Sequence, residues 1–356
     1  MPLIDRLLAR IDADGPLGVD AYVEACLNDP QEGYYAAAPR LGAEGDFITA
    51  PHVSQVFGEM LGLWAAQVWE GLGRPDPVRL VEVGPGDGTM MGDVRRALRA
   101  SPEFAAASQI VLVEPSAPLR AIQQARLGET ARWAETIEAA AGAGPVIILA
   151  NEVLDCLPLR QGVVTAEGAR ERRIGRAGEA LAFVADGEEL APPRWTRPGS
   201  PPAGQVFEWS DAARALGRRV GRIIAQRGGA GLFIDYARDE DAWGDTLQAL
   251  QDHRRVDPLA SPGQADLTAH ADFAAFAAGA REGGARTTPV VSQAALLRAL
   301  GIEVRADALA RLHPHKADLI RRQLERLTGV RGMGLLFKAI CVWSGEVEPP
   351  GFASAT

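Results

Sequence analysis

At 356 residues, with 47% hydrophobic and 23% charged side chains, the chain has ample material for a folded core and does not have the composition of a disordered polymer. Its 37 Lys and Arg against 46 Asp and Glu leave a formal charge of −9, which supplies no broad basic surface for neutralising phosphates and argues against nucleic acid as a partner. Three cysteines (Cys26, Cys156, Cys341) lie far apart with no CxxC pair, so neither a disulfide framework nor a cysteine zinc site is expected. The histidine pair His313 and His315 is interrupted by proline, and no metal is expected there. Membrane insertion is not expected either, because no run of about 18 apolar residues occurs. The opening "MPLIDRLLARIDADG" carries Asp5, Asp12 and Asp14 where a transit peptide avoids acids, so a cytoplasmic protein is expected.

Residues 1–75 lack a strand-helix rhythm and read as an N-terminal helical lid. "GVDAYVEACLNDPQEGYY" is followed by a glycine-marked loop and then by a helix begun by Ser54, with Phe57, Met60 and Leu61 on one face. From residue 76 to 356 short β-branched runs alternate with helical patterns, the signature of a parallel sheet with crossover helices. Strands are predicted at 78–84, 109–115, 145–153, 230–237 and 332–343, most of them apolar on both faces, as in strands covered by helices. An insertion at about 158–228 breaks this rhythm. It begins with antiparallel hairpins, passes through the Pro-rich "APPRWTRPGSPPAG", and ends in a helix that returns the chain to the sheet. The predicted fold is therefore α/β and Rossmann-like, with a helical lid and an antiparallel β insertion.

The first strand leads into "EVGPGDG". A dinucleotide fingerprint needs a third glycine for close helix packing, but that position holds Thr89, and the loop is Gly84, Gly86, Gly88. Glu82 and Asp87 bracket it, and acids at a helix start repel a pyrophosphate and favour a cation. S-adenosyl-L-methionine, with both an ammonium and a sulfonium, suits such a loop.

Glu114 closes the second strand in "VLVEPS", where a carboxylate accepts hydrogen bonds from both hydroxyls of a ribose or, alternatively, caps the following helix. The third strand ends in "ANEVLDCLP". Asn151, Glu152 and Asp155 sit at the edge where such sheets place their substrate crevice, and burying them without partners costs several kcal/mol. A solvated turn capped by Asp155 is the other reading.

"GDFITAPHVSQVFGEMLG", "LVEVGPGDGTMMGD", "NEVLDCLPLRQ", "LFIDYA", "DLTAHADF" and "MGLLFKAI" together resemble the MidA-type proteins, class I methyltransferases related to the mitochondrial complex I assembly methyltransferase. The matching motifs run from about Gly33 to Ala339. Ala237 stands where the family has glycine after "IDY", and His52 where its motif more usually has Glu.

The resemblance implies a seven-stranded class I methyltransferase fold binding S-adenosyl-L-methionine. Glu82, Gly84, Gly86 and Gly88 would form the cofactor loop and Glu114 the ribose acceptor. The 45–55 segment, with Asp46, Thr49 and Gln55, would cover the cofactor. Asn151, Glu152 and Asp155 would form the floor of the active site. It also implies a protein substrate with a target arginine, a respiratory complex I subunit being one candidate. A small-molecule methyltransferase and a non-catalytic complex I assembly factor are the alternatives.

Overall fold

A computed structural model describes residues 1–36, 49–190, 202–237, 243–252, 254–345 and 348–352. Packing divides the chain into two compact units built from interleaved segments. The smaller comprises Met1–Arg40, Leu154–Ala213 and Arg238–Ala275, and the larger Leu41–Val153, Arg214–Ala237 and Phe276–Thr356. The predicted boundary at 75/76 falls inside the larger unit. The predicted insertion is shared between the two, its helix Asp211–Arg227 starting in one and running into the other.

In the larger unit the sheet is formed by β1 (Val78–Val83), β2 (Ser108–Val113), β3 (Ala131–Ala134), β4 (Val146–Asn151), β5 (Gly229–Tyr236), β6 (Arg286–Thr287), β7 (Val291–Ser292) and β8 (Phe337–Trp343). Seven strands run in the order β6-β8-β5-β4-β1-β2-β3, and β7 also pairs with β8. Strands β1 to β5 are mutually parallel, and β8 is antiparallel to β5. Every residue of β4 and β5 is buried, which is why these segments read as continuous apolar runs rather than alternations.

The register places the chemistry at one edge. Val83 pairs with Val113 on one side and Ala150 on the other, while Asn151 pairs with Ile234. The residues just past these pairs, Gly84, Glu114 and Glu152, therefore leave the sheet side by side at its carboxyl edge.

The predicted strand at 332–343 begins later than expected. Met333–Leu336 form a helical turn and β8 starts at Phe337, opposite Tyr236, the last residue of β5. Periodicity cannot separate a short apolar strand from a short apolar helix. Strands β3, β6 and β7 went unpredicted because each is only two to four residues long.

Helix α1 (Gln55–Gly71) starts as the sequence predicts. Ser54 has extended backbone angles and its Oγ accepts the Val56 N–H at 3.3 Å. It buries Phe57 and Trp64 completely and packs closely on α2 (Thr89–Leu98). A Cβ on Gly58 would lie 2.6 Å from Cβ of Asp93, so glycine there sets how near the two helices come.

The smaller unit holds helices Leu3–Asp14 and Val19–Asn28 around a core that includes Tyr22, Cys26, Leu27 and Ile174. The predicted hairpins are present: Arg160–Thr165, Gly168–Ala177 and Ala180–Val184 pair antiparallel in succession. Most of the Pro-rich loop lies outside the described residues. Among the described residues no helix is long and apolar enough to cross a membrane.

Candidate active site

Along the carboxyl edge of the larger unit, β1 delivers the glycine loop. Gly84, Gly86 and Gly88 all take positive φ (64°, 54° and 80°), a region that costs a residue with a Cβ about 1 kcal/mol or more. At Gly84 a Cβ would also lie 2.7 Å from Cγ2 of Val153, so loop and β4 turn approach each other at backbone distance. Gly88 is the N-cap of α2 and has no side chain to cap it; Asp87 Oδ1 takes the first N–H of that helix, from Thr89, at 3.0 Å instead.

Glu82 is 1% exposed. Burial and then the charge of Asp87 hold its carboxyl well above the usual carboxylate range, against a hydrogen bond from the Met91 N–H. Its Oε2 has no hydrogen-bond partner among the described residues.

Asp87 behaves differently from the sequence expectation that it offers its charge to a ligand. Its Oδ1 accepts the Thr89 N–H at 3.0 Å, and its Oδ2 lies 3.1 Å from His52 Nε2 and 3.0 Å from Arg126 Nη1. Burial raises the carboxyl, but the hydrogen bonds of His52 and Thr89 outweigh burial and hold it well below the usual range. Its charge is already compensated inside the protein.

Glu114, at the end of β2, accepts the Ser116 N–H at 2.8 Å through Oε1, and Gln123 Nε2 lies 3.2 Å from its Oε2. Burial leaves the carboxyl above its ordinary value despite those bonds and the nearby Arg120. The bond to Ser116, the N-cap of α3 (Ala117–Leu127), gives Glu114 part of the capping role, and its second oxygen stays beside the glycine loop through Gln123.

At the end of β4, Glu152 has φ 55°, an uncommon conformation for a residue with a Cβ. Two contacts determine it: the Glu152 N–H donates to Ile234 O at 2.9 Å, and the next amide, Val153 N–H, donates to Asp235 Oδ2 at 3.0 Å. The Glu152 carboxylate accepts Asn151 Nδ2 at 2.9 Å and the Ala50 N–H at 3.3 Å, both on Oε1. Asn151 Oδ1 is buried with no partner among the described residues.

Of the predicted covering segment, Thr49 Oγ1 lies 2.8 Å from His52 Nδ1, and His52 reaches Asp87 with its other nitrogen. Gln55 is exposed at the start of α1 and its amide donates to Glu59. Asp46 lies outside the described residues.

Asp155 falls in the smaller unit. There its Oδ1 accepts from Cys156 Sγ at 3.3 Å and its carbonyl accepts the Ala269 N–H, next to His270 of "DLTAHADF". Tyr35 Oη lies 3.1 Å from Cys156 Sγ. Burial, then the carboxylate of Asp266, the thiol and Asp155 hold the Tyr35 hydroxyl far above its usual range.

The structure thus brings Thr49, Glu82, the three glycines, Glu114, Asn151 and Glu152 to one sheet edge. It adds His52, Arg126, Gln123 and Asp235, whose roles sequence reasoning missed. Asp235 stood in the "LFIDYA" motif without a role, and nothing local marks Gln123, because its partners come from three separate segments.

These residues fit S-adenosyl-L-methionine. The three loop glycines at positive φ present bare backbone at the sheet edge, and two buried oxygens, Glu82 Oε2 and Asn151 Oδ1, have no hydrogen-bond partner among the described residues, as a site built for a donor such as an ammonium group would. Glu114 stands beside the loop, linked to the Gly86 carbonyl through Gln123.

Sheet order, reversed β8 and glycine loop define a class I methyltransferase fold. The comparisons agree. A family model described as "Putative S-adenosyl-L-methionine-dependent methyltransferase" matches residues 60–291, and the chain belongs to that family. It is 32% identical to a Drosophila melanogaster protein named "Protein arginine methyltransferase NDUFAF7 homolog, mitochondrial", over 96% of this chain and 85% of that one. It is 33% identical to the Mus musculus "Protein arginine methyltransferase NDUFAF7, mitochondrial", over 86% of this chain and 76% of that one. A Burkholderia thailandensis crystal structure bound to S-adenosyl-homocysteine superposes with a TM-score of 0.86 at 28% identity, covering 99% of this chain and 94% of that one.

Proposed function

We propose that this methyltransferase uses S-adenosyl-L-methionine to methylate an arginine of a protein, with Glu152 as the carboxylate that meets the guanidinium. The single observation that carries this reading is the placement of Glu152: a carboxylate held at positive φ, pinned by Ile234, Asn151 and Ala50, one residue from the Val153 side chain that abuts Gly84. Relatives named protein arginine methyltransferases support the substrate class. A subunit of respiratory complex I is our candidate target. The cytoplasm is our proposed location, from three cysteines scattered along the sequence with no CxxC pair.

When bound, the cofactor supplies a methyl group on a positively charged sulfur. The protein's task is then positioning and charge. A guanidinium has a pKa of roughly 12.5–13.8, so presenting it neutral at pH 7 would cost about 8 kcal/mol at 1.36 kcal/mol per unit. Glu152 would avoid that cost by binding the protonated group, orienting one nitrogen, and accepting its proton as that nitrogen gains the methyl and the spent cofactor leaves as the neutral thioether, S-adenosylhomocysteine. Asn151 and Ala50 hold the carboxylate in place throughout. Asp155 enters the proposal from the "NEVLDCLP" motif as the second carboxylate.

The test is transfer of label from S-adenosyl-L-methionine to a cell extract, followed by acid hydrolysis of the labelled product. Wild type should yield methylarginine in a protein band. Glu152→Gln should bind S-adenosylhomocysteine as tightly as wild type yet lose about a hundredfold or more in rate, the scale of a lost acid-base group. Label confined to a small molecule, or full activity in the variant, overturns the reading.

A further inference from the structure

Gln123 of α3 is completely buried and makes three hydrogen bonds to three separate parts of the chain. Its Nε2 donates to the Gly86 carbonyl at 2.7 Å and to Glu114 Oε2 at 3.2 Å. Its Oε1 accepts the Trp133 Nε1–H at 2.7 Å from β3. The indole decides the amide's orientation, because Nε1–H only donates and therefore demands the oxygen. The NH2 group is consequently forced toward the loop carbonyl and the carboxylate. On its other flank, Gly88 brings its backbone close enough that a Cβ there would lie 3.5 Å from Gln123 Cγ.

The geometry points to Gln123 as a positioning residue for cofactor binding: a single amide, oriented by Trp133, that sets the spacing between the glycine loop and the Glu114 carboxylate. This rests on the reading that Glu114 holds the ribose. Glu114 alone has alternatives, since Ser116 N–H could draw it wholly into the cap of α3; Gln123 keeps the second oxygen on the loop side. Around the amide the charged groups are few. Glu114 faces it from the end of β2, Arg120 of the same helix donates to the Glu114 carbonyl, and Asp87 beside Gly86 is occupied by His52, Arg126 and Thr89.

The test compares wild type, Gln123→Leu and Gln123→Glu by titration calorimetry with S-adenosylhomocysteine at pH 6 and pH 8, with circular dichroism melting to check folding. Gln123→Leu keeps the volume and loses the donors, so its Kd should weaken about tenfold or more relative to wild type at both pH values, as for a lost hydrogen bond to a charged acceptor. Gln123→Glu should be at least as weak at pH 8, where a second carboxylate meets Glu114 and the Gly86 carbonyl. At pH 6 its ratio to wild type should shrink several-fold, because a protonated carboxyl again donates O–H on the loop side while accepting from Trp133.

A packing defect would leave that ratio constant with pH, so a constant ratio overturns the proposal, as does a Gln123→Leu variant that binds like wild type. If Gln123→Leu fails to fold, the pH-dependent ratio of Gln123→Glu decides alone. Failure of wild type itself to bind S-adenosylhomocysteine would instead remove the cofactor reading on which the proposal rests.

Discussion

His52 Nε2 stands 3.1 Å from Asp87 Oδ2, so the segment that precedes α1 is tied directly to the glycine loop. The other ring nitrogen is held by Thr49 Oγ1 at 2.8 Å, and Arg126 approaches the same Asp87 oxygen from α3. Three segments far apart in the chain meet on one loop carboxylate. His52→Ala should leave the fold intact and weaken S-adenosylhomocysteine binding by about fivefold, the worth of roughly 1 kcal/mol from one partly exposed contact. Calorimetry on the two proteins checks this, and equal affinity would show that the tie does not serve the cofactor.

Glu82 gives a proton-linked prediction. Its carboxyl is held well above the usual range by burial and by Asp87, which favours the protonated form in the ligand-free protein. A cationic group placed against it would favour the ionised form and lower that pKa. Binding should therefore release up to about one proton, and affinity should rise with pH until the ligand-free group ionises. Titrations in buffers of different ionisation enthalpy measure the proton count. Wild type should show release and Glu82→Gln none; zero release in wild type would remove Glu82 from the cationic site.

At Gly84 two effects act together. The residue has φ 64°, and an added Cβ would meet Val153 Cγ2 at 2.7 Å before any ligand is considered. Gly84→Val should abolish measurable S-adenosylhomocysteine binding and lower stability by about 1–3 kcal/mol through backbone strain. Gly84→Ala should do the same more weakly. Unchanged affinity in the valine variant would exclude the loop from the site.

Asp93 provides a stability prediction away from the ligand. Burial against α1, opposed by Arg96 and reinforced by the charge of Glu59, pushes its pKa up to about 6. Because the folded value exceeds the ordinary 3.8, the unfolded chain ionises first as pH rises, and stability falls between about pH 4 and pH 6 and stays lower above. Asp93→Asn abolishes that term, so the stability of the variant relative to wild type should climb across the same window by at most about 3 kcal/mol. Urea unfolding at pH 4, 5, 6 and 7 follows it, and a flat difference would show that Asp93 does not titrate there.

Local pattern carried much of this protein. Apolar runs at 78–84, 109–115, 145–153 and 230–237 predict the central parallel strands because burial on both faces leaves no choice of residue type, and Ser54 announces α1 because an N-cap is satisfied within three residues of itself. Gly84, Gly86 and Gly88 announce a close backbone approach for the same reason, since a positive φ is a property of one residue.

What only tertiary structure decided is who answers whom. Asp87 looks in sequence like an acid offered to a cation, yet His52 and Arg126 compensate it. Gln123 looks like a helix residue among others, yet it bonds at once to Gly86, Glu114 and Trp133. Asp235 fixes the amide after Glu152 from the neighbouring strand. Hydrogen bonds such as Gln123 to Gly86, 37 residues apart, and Val153 to Asp235, 82 apart, depend on sheet order and register, which no local propensity encodes. The sequence by itself therefore determined the central parallel strands, the loop and the kind of cofactor, while the fold determined which carboxylates are already paired and which keep an oxygen without a partner among the described residues.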